Sequence, residues 1–331
     1  SWLDHARRYT DMIADRLELT ASSRVVEIAS NDGYLLRNFL SRGIPCLGVE
    51  PTSSTAAAAR ELGIPVVEKF FGVELAHELV KGSGKADLII GNNVFAHVPD
   101  INDFARGMTA LLESGGTVTL EFPHLMRLLE FNQFDTVYHE HFSYLSLSAV
   151  NRILTAAGLR LFDVEELSTH GGSLRVFACH QSDPRSVQSS VEGMLERERQ
   201  AGLEELSTYQ NFQQRADSVK NALLGYLIDL KRAGKTVVAY GAAAKGNTLL
   251  NYAGIKPDLL KYVCDNAASK QGKYMPGSHI PIHPPSMLEH DVPDVVLILP
   301  WNIAAEIKAS TKGRVPEDCR FVAAIPDLHT L

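Results

Sequence analysis

The sequence predicts an α/β protein with two lobes, each built around a mostly parallel, doubly wound sheet. Short apolar runs alternate with amphipathic segments of helical length from residue 24 to residue 182, and the pattern resumes at residue 236. Such alternation is typical of βαβ units, in which parallel strands are buried on both faces. The 331 residues, 45% hydrophobic and 21% charged, are enough for two packed cores.

The first predicted domain covers residues 1–182. It begins with an amphipathic helix over residues 1–20 and has a further helix at Ala56–Leu62. Its five parallel strands are predicted at Arg24–Ala29, Pro45–Glu50, Pro65–Glu68, Ala86–Asn92 and Thr117–Phe122. Two more runs, Leu159–Leu167 and Ser173–His180, flank the glycines of a turn and predict an antiparallel closing pair.

Residues 183–234 predict a helical connector, and residues 235–331 predict a second Rossmann-like domain. The connector is rich in Glu, Arg, Gln and Leu and reads as two long helices broken near Gly202. The buried strands of the second domain are predicted at Val237–Tyr240, Tyr262–Asp265, Val295–Pro300 and Arg320–Ile325.

The net charge and the cysteine spacing limit which binding partners and which cellular compartment the sequence predicts. A net charge of -7 with dispersed basic residues predicts neither a nucleic-acid partner nor a membrane partner. The four cysteines form no CxxC pair, so no metal and no disulfide framework is assigned, and a reducing cytoplasm is expected. No apolar stretch approaches the ~20 residues that span a bilayer, and the N-terminus lacks the apolar core of a signal peptide.

The run Tyr138-His139-Glu140-His141-Phe142 is an acid/base cluster just beyond a predicted strand. In an extended chain, residues two apart share a face, so no face of this run collects three metal ligands. The spacing also differs from HExxH, in which the two histidines lie four apart. General acid/base chemistry fits the residue types, whereas two surface histidines in a loop are the alternative.

A cofactor site is predicted where the first strand, Val25-Val26-Glu27-Ile28-Ala29, turns through Ser30-Asn31-Asp32-Gly33 into a helix. Such a turn brings backbone N–H groups close to a ligand. Only Gly33 of a GxGxxG fingerprint is present, which disfavours NAD and favours another nucleoside. Glu50 ends the second strand, where it can hold both ribose hydroxyls; a solvated loop carboxylate is the alternative.

The second lobe carries a comparable turn at Gly241-Ala242-Ala243-Ala244-Lys245-Gly246-Asn247-Thr248. A helix N-terminus next to an ammonium group is a suitable diphosphate site. The lysine precedes the second glycine, so a Walker-type ATP loop is not matched. Close packing of the helix on the sheet explains the small residues equally well.

Four blocks in this order, EIASNDGYLL, GVEPT, GNNVFAHVPD and YHEHFSYLS, resemble a class I S-adenosylmethionine (SAM) methyltransferase of the deoxysugar C-methyltransferase family. The segments VVAYGAAAKGNTLLNYAGI and YVCDNAASKQGKYMPGSHIPI are similar to that family's C-terminal Rossmann-like domain, so the resemblance covers nearly the whole chain. It implies methyl transfer from SAM to a carbon beside the ketone of a nucleotide-linked 4-keto-deoxysugar, with TDP as the expected nucleotide and S-adenosylhomocysteine as the product. The small zinc-binding domain that usually begins such proteins is not matched and is expected to be lost or trimmed.

The resemblance also implies roles for individual residues. His141 is the expected base, Glu140 holds a substrate hydroxyl or orients a histidine, Tyr138 donates to the enolate oxygen, and His97 polarises the ketone or stabilises the enolate. The expected SAM-binding residues are Glu27, Ala29, Asn31, Asp32, Gly33, Glu50, Pro51, Phe71, Asn92 and Asn93. The expected substrate-binding residues are His170, Gly171, Gly172, Gly241, Lys245, Gly246, Asn247 and Thr248.

Several alternatives stay open at the level of the sequence. Phe71 either stacks on adenine or packs in the core with Phe70. Gly171 and Gly172 either approach the substrate or simply make a hairpin turn. For the whole chain, the alternatives are an O- or N-methyltransferase, an NAD-dependent oxidoreductase that uses one Rossmann lobe, and a non-catalytic nucleotide-binding module.

Overall fold

The structure, a computed structural model, describes residues 2–331, which form two compact units. The N-terminal unit contains the described residues up to Leu125 together with His141–Ser168 and Gly172–Ala201. The C-terminal unit contains Met126–Glu140, Thr169–Gly171 and Gly202–Leu331. The boundary therefore passes through the acid/base run, between Glu140 and His141.

The N-terminal unit is built on a seven-stranded sheet of order β3-β2-β1-β4-β5-β7-β6. Its strands are β1 (Val25–Ile28), β2 (Cys46–Val49), β3 (Val66–Val67), β4 (Ala86–Asn92), β5 (Leu112–Pro123), β6 (Leu159–Leu167) and β7 (Ser173–His180). The first five are parallel, and β7 is antiparallel to both β5 and β6. The predicted parallel sheet and its antiparallel closing strand are confirmed.

Helices cover this sheet and bury its apolar side chains. They are α1 (Trp2–Arg16), α2 (Leu36–Ser41), α3 (Ser53–Glu61), α4 (Val73–Ser83), α5 (Ile101–Leu111), α7 (Leu147–Ala156) and α8 (Ser189–Gln200), while α6 (Leu125–Glu130) leads into the C-terminal unit. On one face, Tyr9 and Ile13 of α1 pack with Phe39 of α2 and the buried side chains of β1 and β4. The predicted N-terminal helix is confirmed and ends at Arg16.

The C-terminal unit is built on a six-stranded sheet of order β10-β9-β8-β11-β12-β13, in which only β13 is antiparallel to its neighbour. Its strands are β8 (Val237–Tyr240), β9 (Val263–Cys264), β10 (Ile282–His283), β11 (Val295–Ile298), β12 (Arg320–Ala323) and β13 (His329–Thr330). Its helices are α9 (Leu206–Gln210), α10 (Phe212–Arg232), α11 (Ala244–Tyr252), α12 (Met287–Asp291) and α13 (Ala304–Thr311). Four strands match the predictions. Strands β10 and β13 were not predicted, because Pro281 and Pro284 flank β10 and the two residues of β13 are polar.

Helices α8 and α10 confirm the two predicted helices, and the break falls at Gly202, whose φ is +70°. The stretch 183–234 is divided between the units at that glycine. Leu223 and Leu227 of α10 are buried in the core of the C-terminal unit. Among residues 2–331, no helix is long and apolar enough to cross a membrane.

A buried carboxylate fixes α8 within the N-terminal unit. Glu198 is 2% exposed, and its Oε1 accepts from Leu147 N–H at 2.5 Å and lies 2.7 Å from His124 Nε2. Its Oε2 accepts from Ser148 N–H at 2.9 Å. Burial alone would raise the pKa of Glu198, but these hydrogen bonds outweigh it and lower the pKa. Glu198 therefore caps the start of α7 from a different helix.

Replacing this carboxylate should destabilise the fold. We expect Glu198→Ala to lower the free energy of unfolding by about 3 kcal/mol, because His124 and two helix N–H groups lose a buried partner. Urea unfolding measures the change. Glu196→Ala is the matched control on the same helix, since Glu196 is exposed and pairs with Arg199. Equal unfolding midpoints for the two variants would contradict the capping role.

Candidate active site

The turn after β1 has the left-handed backbone that its residues suit. Ala29, Asn31 and Gly33 have φ values of 58°, 53° and 78°. A side chain at Gly33 would collide with Ile64 and would lie 3.1 Å from the Ala59 Cβ, so only glycine fits this approach. Asp32 N–H donates to Asn31 Oδ1 at 2.9 Å, which closes the turn with a local hydrogen bond.

Glu50 connects this turn to the end of β2. Its Oε2 accepts from Asn31 N–H at 3.0 Å, and its Oε1 accepts from Thr52 N–H at 2.9 Å. The side chain is only 7% exposed. The solvated-carboxylate alternative is therefore wrong, because the backbone holds Glu50 in one orientation at the edge of the sheet.

Glu27 is a buried carboxylate at the same edge of the sheet. It is 1% exposed on β1, and its Oε2 has no hydrogen-bond partner among the described residues. Burial raises the pKa of Glu27 well above its usual range, and the nearby Asp32 and Glu50 raise it further. A buried acid surrounded by like charge is suited to accept a positively charged group.

Asn92 and Asn93, at the end of β4, add buried amide groups to the same edge of the sheet. Asn93 has φ of 54°, and its N–H donates to the Glu121 carbonyl at 2.7 Å. The Asn92 Oδ1 and both polar atoms of the Asn93 side chain are buried without a partner in residues 2–331. Together with Glu27 Oε2, these groups are fitted to a polar ligand.

The aromatic pair after β3 is divided between surface and interior. Phe70 is 85% exposed, so it is not the core partner of Phe71. Phe71 is half-buried and packs edge-to-face on Phe104, with 5.2 Å between ring centroids. Pro51 is half-buried directly after Glu50.

His97 and His141, which are far apart in the sequence, come together in the N-terminal unit. Their ring centroids are 4.8 Å apart in an edge-to-face arrangement, and the Tyr144 ring lies 5.9 Å from His141. The Ala96 carbonyl accepts from Phe142 N–H at 2.9 Å and from Ser143 N–H at 3.2 Å. These two hydrogen bonds hold the residues after His141 next to Ala96, which precedes His97. The two histidine rings therefore lie side by side.

Tyr138, His139 and Glu140 lie in irregular chain at the edge of the C-terminal unit. The run is not a strand, so the alternation of faces expected for an extended chain does not apply. Tyr138 is half-buried, whereas His139 and Glu140 are exposed. Tyr138 and Glu140, which the sequence grouped with His141, thus belong to the other unit.

The turn between β6 and β7 is as tight as its glycines predict. His170, Gly171 and Gly172 all have positive φ, at 54°, 85° and 119°. The Gly172 carbonyl accepts from His124 N–H at 3.0 Å. His170 is half-buried in a short 3-10 turn.

The turn after β8 is closely packed. A side chain at Gly241 would collide with Pro300, and one at Gly246 would lie 2.7 Å from the Leu299 Cβ, so close packing accounts for both glycines. Lys245 Nζ donates to Asn302 Oδ1 at 2.8 Å. Burial lowers the pKa of Lys245, and Asp135 opposes the change.

The remaining residues of this predicted site lie in the first five residues of α11. Asn247 and Thr248 are half-buried, and Asn247 Oδ1 is buried without a partner in the described chain.

A buried ion network in the N-terminal unit escaped the sequence reasoning. Glu121 on β5 faces Arg175 on β7, with 2.9 Å between Oε2 and Nη2, and His5 Nε2 lies 3.0 Å from the same oxygen. Glu121 is fully buried and Arg175 is 5% exposed. Opposite charges inside two apolar strands are the signal that could have revealed this pair.

Two family descriptions together match almost the whole chain. Residues 2–164 match "Methyltransferase domain", and residues 168–326 match "C-methyltransferase C-terminal domain". The C-methyltransferase NovU of Streptomyces niveus is 37% identical over 327 residues, which are 99% of this chain and 78% of NovU.

Likenesses to solved structures are weaker. A SAM-dependent methyltransferase from Clostridium acetobutylicum is 10% identical, with a TM-score of 0.41 over 52% of this chain and 89% of its own. Magnesium protoporphyrin IX methyltransferase from Synechocystis is 14% identical, with a TM-score of 0.40 over 53% and 79% of the two chains.

The doubly wound N-terminal unit and the two matched families define a SAM-dependent methyltransferase. More specifically, the chain belongs to the C-methyltransferase family that includes NovU, which confirms the resemblance carried by its motifs. Family membership decides for an enzyme that methylates carbon, over the O- or N-methyltransferase, oxidoreductase and binding-module alternatives.

Replacing the Glu27 carboxylate by a neutral side chain should increase the free energy of unfolding. Because the fold raises the pKa of Glu27, its charged form opposes folding, and this penalty grows as pH rises from the unfolded pKa to the folded pKa. Glu27→Gln should therefore be more stable than the wild type at neutral pH by about 1–3 kcal/mol.

Urea unfolding near neutral pH and near about pH 5 measures the difference, which should shrink at the lower pH. The exposed Glu61, at the end of α3, provides the control Glu61→Gln, for which no change is expected. A Glu27→Gln variant less stable than the wild type at neutral pH would contradict the claim that the charged Glu27 carboxylate opposes folding.

Proposed function

We propose that this enzyme transfers the methyl group of SAM to a carbon adjacent to the ketone of a nucleotide-linked 4-keto-deoxysugar, with TDP as the nucleotide. Carbon methylation follows from family membership. The proposal adds the class of substrate and a mechanism through an enolate. The observation that carries it is the pairing of His97 with His141 in the N-terminal unit. A ketone activates its neighbouring carbon for deprotonation, which requires a base and a group that accepts negative charge on oxygen.

The reaction is proposed to begin at His141. Its imidazole takes a proton from the carbon beside the ketone. The electron pair of the broken C–H bond forms the C=C bond of the enolate, and the former ketone oxygen becomes negatively charged. His97 and Tyr138 donate hydrogen bonds to that oxygen, and Glu140 holds a substrate hydroxyl or orients a histidine. When bound, SAM supplies an electrophilic methyl group, so the nucleophilic carbon gains the methyl and S-adenosylhomocysteine leaves.

The edge formed by β1, β2 and β4 fits SAM as the donor. Glu27 Oε2 and Asn92 Oδ1 are buried acceptors without a protein partner in the described chain, as the ammonium of a methionyl group requires. Glu50 retains acceptor capacity for ribose hydroxyls beside its two backbone hydrogen bonds.

Other residues complete the proposed donor site. The turn Ala29–Gly33 provides the close backbone approach, Asn93 adds a second amide, and Pro51 and Phe71 are proposed to frame the adenine.

The substrate is proposed to contact two turns. His170, Gly171 and Gly172 are assigned to the sugar, and the turn Gly241–Thr248 to the nucleotide diphosphate. Support for the second assignment comes from the N-terminus of α11 and from the half-buried ammonium of Lys245. The four free, buried cysteines are in keeping with an enzyme of the reducing cytoplasm, which we also propose.

Proton abstraction is tested directly by proton NMR in deuterated water. With S-adenosylhomocysteine present, the enzyme should replace one ring proton beside the ketone of TDP-4-keto-6-deoxyglucose by deuterium. His141→Ala should slow this exchange at least about 100-fold because the base is removed. His139→Ala is the matched control, since His139 is exposed and has no assigned role.

Replacing S-adenosylhomocysteine with SAM should give a new methyl signal on the same carbon. Wild-type exchange that persists in His141→Ala would overturn the assignment of the base. A wild-type enzyme that binds S-adenosylhomocysteine yet neither exchanges the proton nor methylates this sugar would overturn the substrate.

The diphosphate assignment makes a separate prediction. Lys245→Ala should weaken binding of the nucleotide-sugar by about tenfold and leave binding of S-adenosylhomocysteine unchanged, because one charge-assisted contact is lost. Isothermal titration calorimetry measures both affinities, with Lys273→Ala as the control at an exposed lysine of the same unit. An equal loss for both ligands would show that Lys245 acts on the fold instead.

A further inference from the structure

Two residues with no assigned role in the reaction, Asp135 and Trp301, which lies shortly after β11, form a cluster. The Trp301 Nε1–H donates to Asp135 Oδ2 at 2.8 Å. On the ring face, Lys245 Nζ lies 4.6 Å from the indole centroid. Asp135 is fully buried, and burial raises its pKa to about 6 although the hydrogen bond from Trp301 and the charge of Lys245 oppose the rise.

The edge of the same indole packs on the turn that contains His170. A Cβ built on Gly171 would collide with the Trp301 ring and would lie 2.7 Å from Gln133 Nε2. Gln133 Nε2 also donates to the Gly171 carbonyl at 2.7 Å. The backbone at Gly171 is therefore held between Trp301 and Gln133, with no room for a larger side chain.

The segment that leads to Tyr138 is anchored at two further points. Asn132 Nδ2 donates to the carbonyls of Arg215 at 3.2 Å and Pro326 at 3.4 Å. Phe134 is 6% exposed in the core of the C-terminal unit, and its ring lies 5.3 Å from that of Tyr252. With the Asp135 contact, three anchors fall within four consecutive residues.

A buried carboxylate is a poor choice for stability alone. Asp135 Oδ1 has no partner among the described residues, and an apolar side chain at this position would avoid its desolvation. What the carboxylate adds is direction, because a hydrogen bond fixes both the distance and the angle between its partners. The arrangement therefore orients the segment.

We propose that Trp301 and Asp135 are positioning residues for methyl transfer. Their hydrogen bond fixes the backbone that presents Tyr138 and Glu140, and the indole edge fixes, through Gly171, the backbone that presents His170. This inference rests on the proposed function, because it assigns importance to those three side chains. It adds two residues that touch neither the sugar nor the methyl donor.

A positioning role predicts a specific kinetic pattern. Displacing Tyr138 and Glu140 changes the geometry of the reacting groups, so kcat should fall while the affinity for S-adenosylhomocysteine is kept. Trp301→Phe retains an aromatic ring for Lys245 but removes both the N–H donor and the outer indole edge, Cη2 and Cζ3, that packs on Gly171. Asp135→Asn has a similar volume and retains an acceptor for that N–H, whereas Asp135→Leu branches at the same carbon but is larger and has no acceptor.

The experiment measures kcat and KM for deuterium exchange and for methylation of the nucleotide-sugar in these three variants. Trp301→Phe and Asp135→Leu should lose about 10- to 100-fold in kcat with KM changed less than about threefold. Asp135→Asn should recover most of the wild-type kcat, which a purely structural role would not require. Tyr274→Phe, at an exposed tyrosine of the same unit, is the control.

A Trp301→Phe variant with wild-type kcat would overturn the positioning role. So would an Asp135→Asn variant as impaired as Asp135→Leu, because the hydrogen bond would then not be the cause. A wild-type enzyme that shows no exchange and no methylation refutes the proposed reaction, and the positioning role with it. Normal wild-type turnover with an unaffected Trp301→Phe refutes the positioning role alone.

Discussion

Both units are governed by one constraint of parallel sheets, namely that all parallel strands present their carboxyl ends at the same edge. In the N-terminal unit the order β2-β1-β4 places Glu50, Glu27 and Asn92 at that edge, although the three residues are distant in the sequence. The positive-φ turn after β1 and the two hydrogen bonds that Glu50 accepts then fix the edge in one shape. Candidate ligand contacts therefore follow from sheet topology before any specific chemistry is considered.

Two buried glutamates of the N-terminal unit, Glu121 and Glu27, differ in whether other protein groups compensate their burial. Glu121 is matched by Arg175 across the strands and by His5 from α1, so its burial is compensated inside the protein. Glu27 has only like-charged neighbours, and one of its oxygens has no partner in the described chain. An unmatched buried acid is unfavourable for folding, and such local conflicts concentrate at functional sites. We therefore propose that the missing partner of Glu27 is a ligand.

The sequence was sufficient for every strand except β10 and β13, because the other strands lie in apolar runs that end in turn residues. It was also sufficient for the turn after β1, which belongs to a compact motif, whereas the roles assigned to His97 and His141 stay predictions. It did not reveal the hydrogen bond between Asp135 and Trp301, whose residues are 166 positions apart and meet only through tertiary packing. The alternative that Phe71 packs with Phe70 is wrong, because Phe70 is exposed and periodicity does not show which of two adjacent rings faces solvent.

The two small-residue turns, after β1 and after β8, look alike in sequence but are used differently. In the first turn, Ala29, Asn31 and Gly33 have positive φ, and polar side-chain atoms without a partner in residues 2–331 lie at the same edge of the sheet; in the second turn, Gly241 also has positive φ but makes room for Pro300. The next residue, Trp301, receives Lys245 on its face and donates its N–H to Asp135. Any ligand that draws the Lys245 ammonium away from the indole therefore acts on the residue that holds Asp135. Within the C-terminal unit, the nucleotide-sugar binding that we propose at this turn and the orientation of Tyr138 and Glu140 are accordingly linked through Trp301.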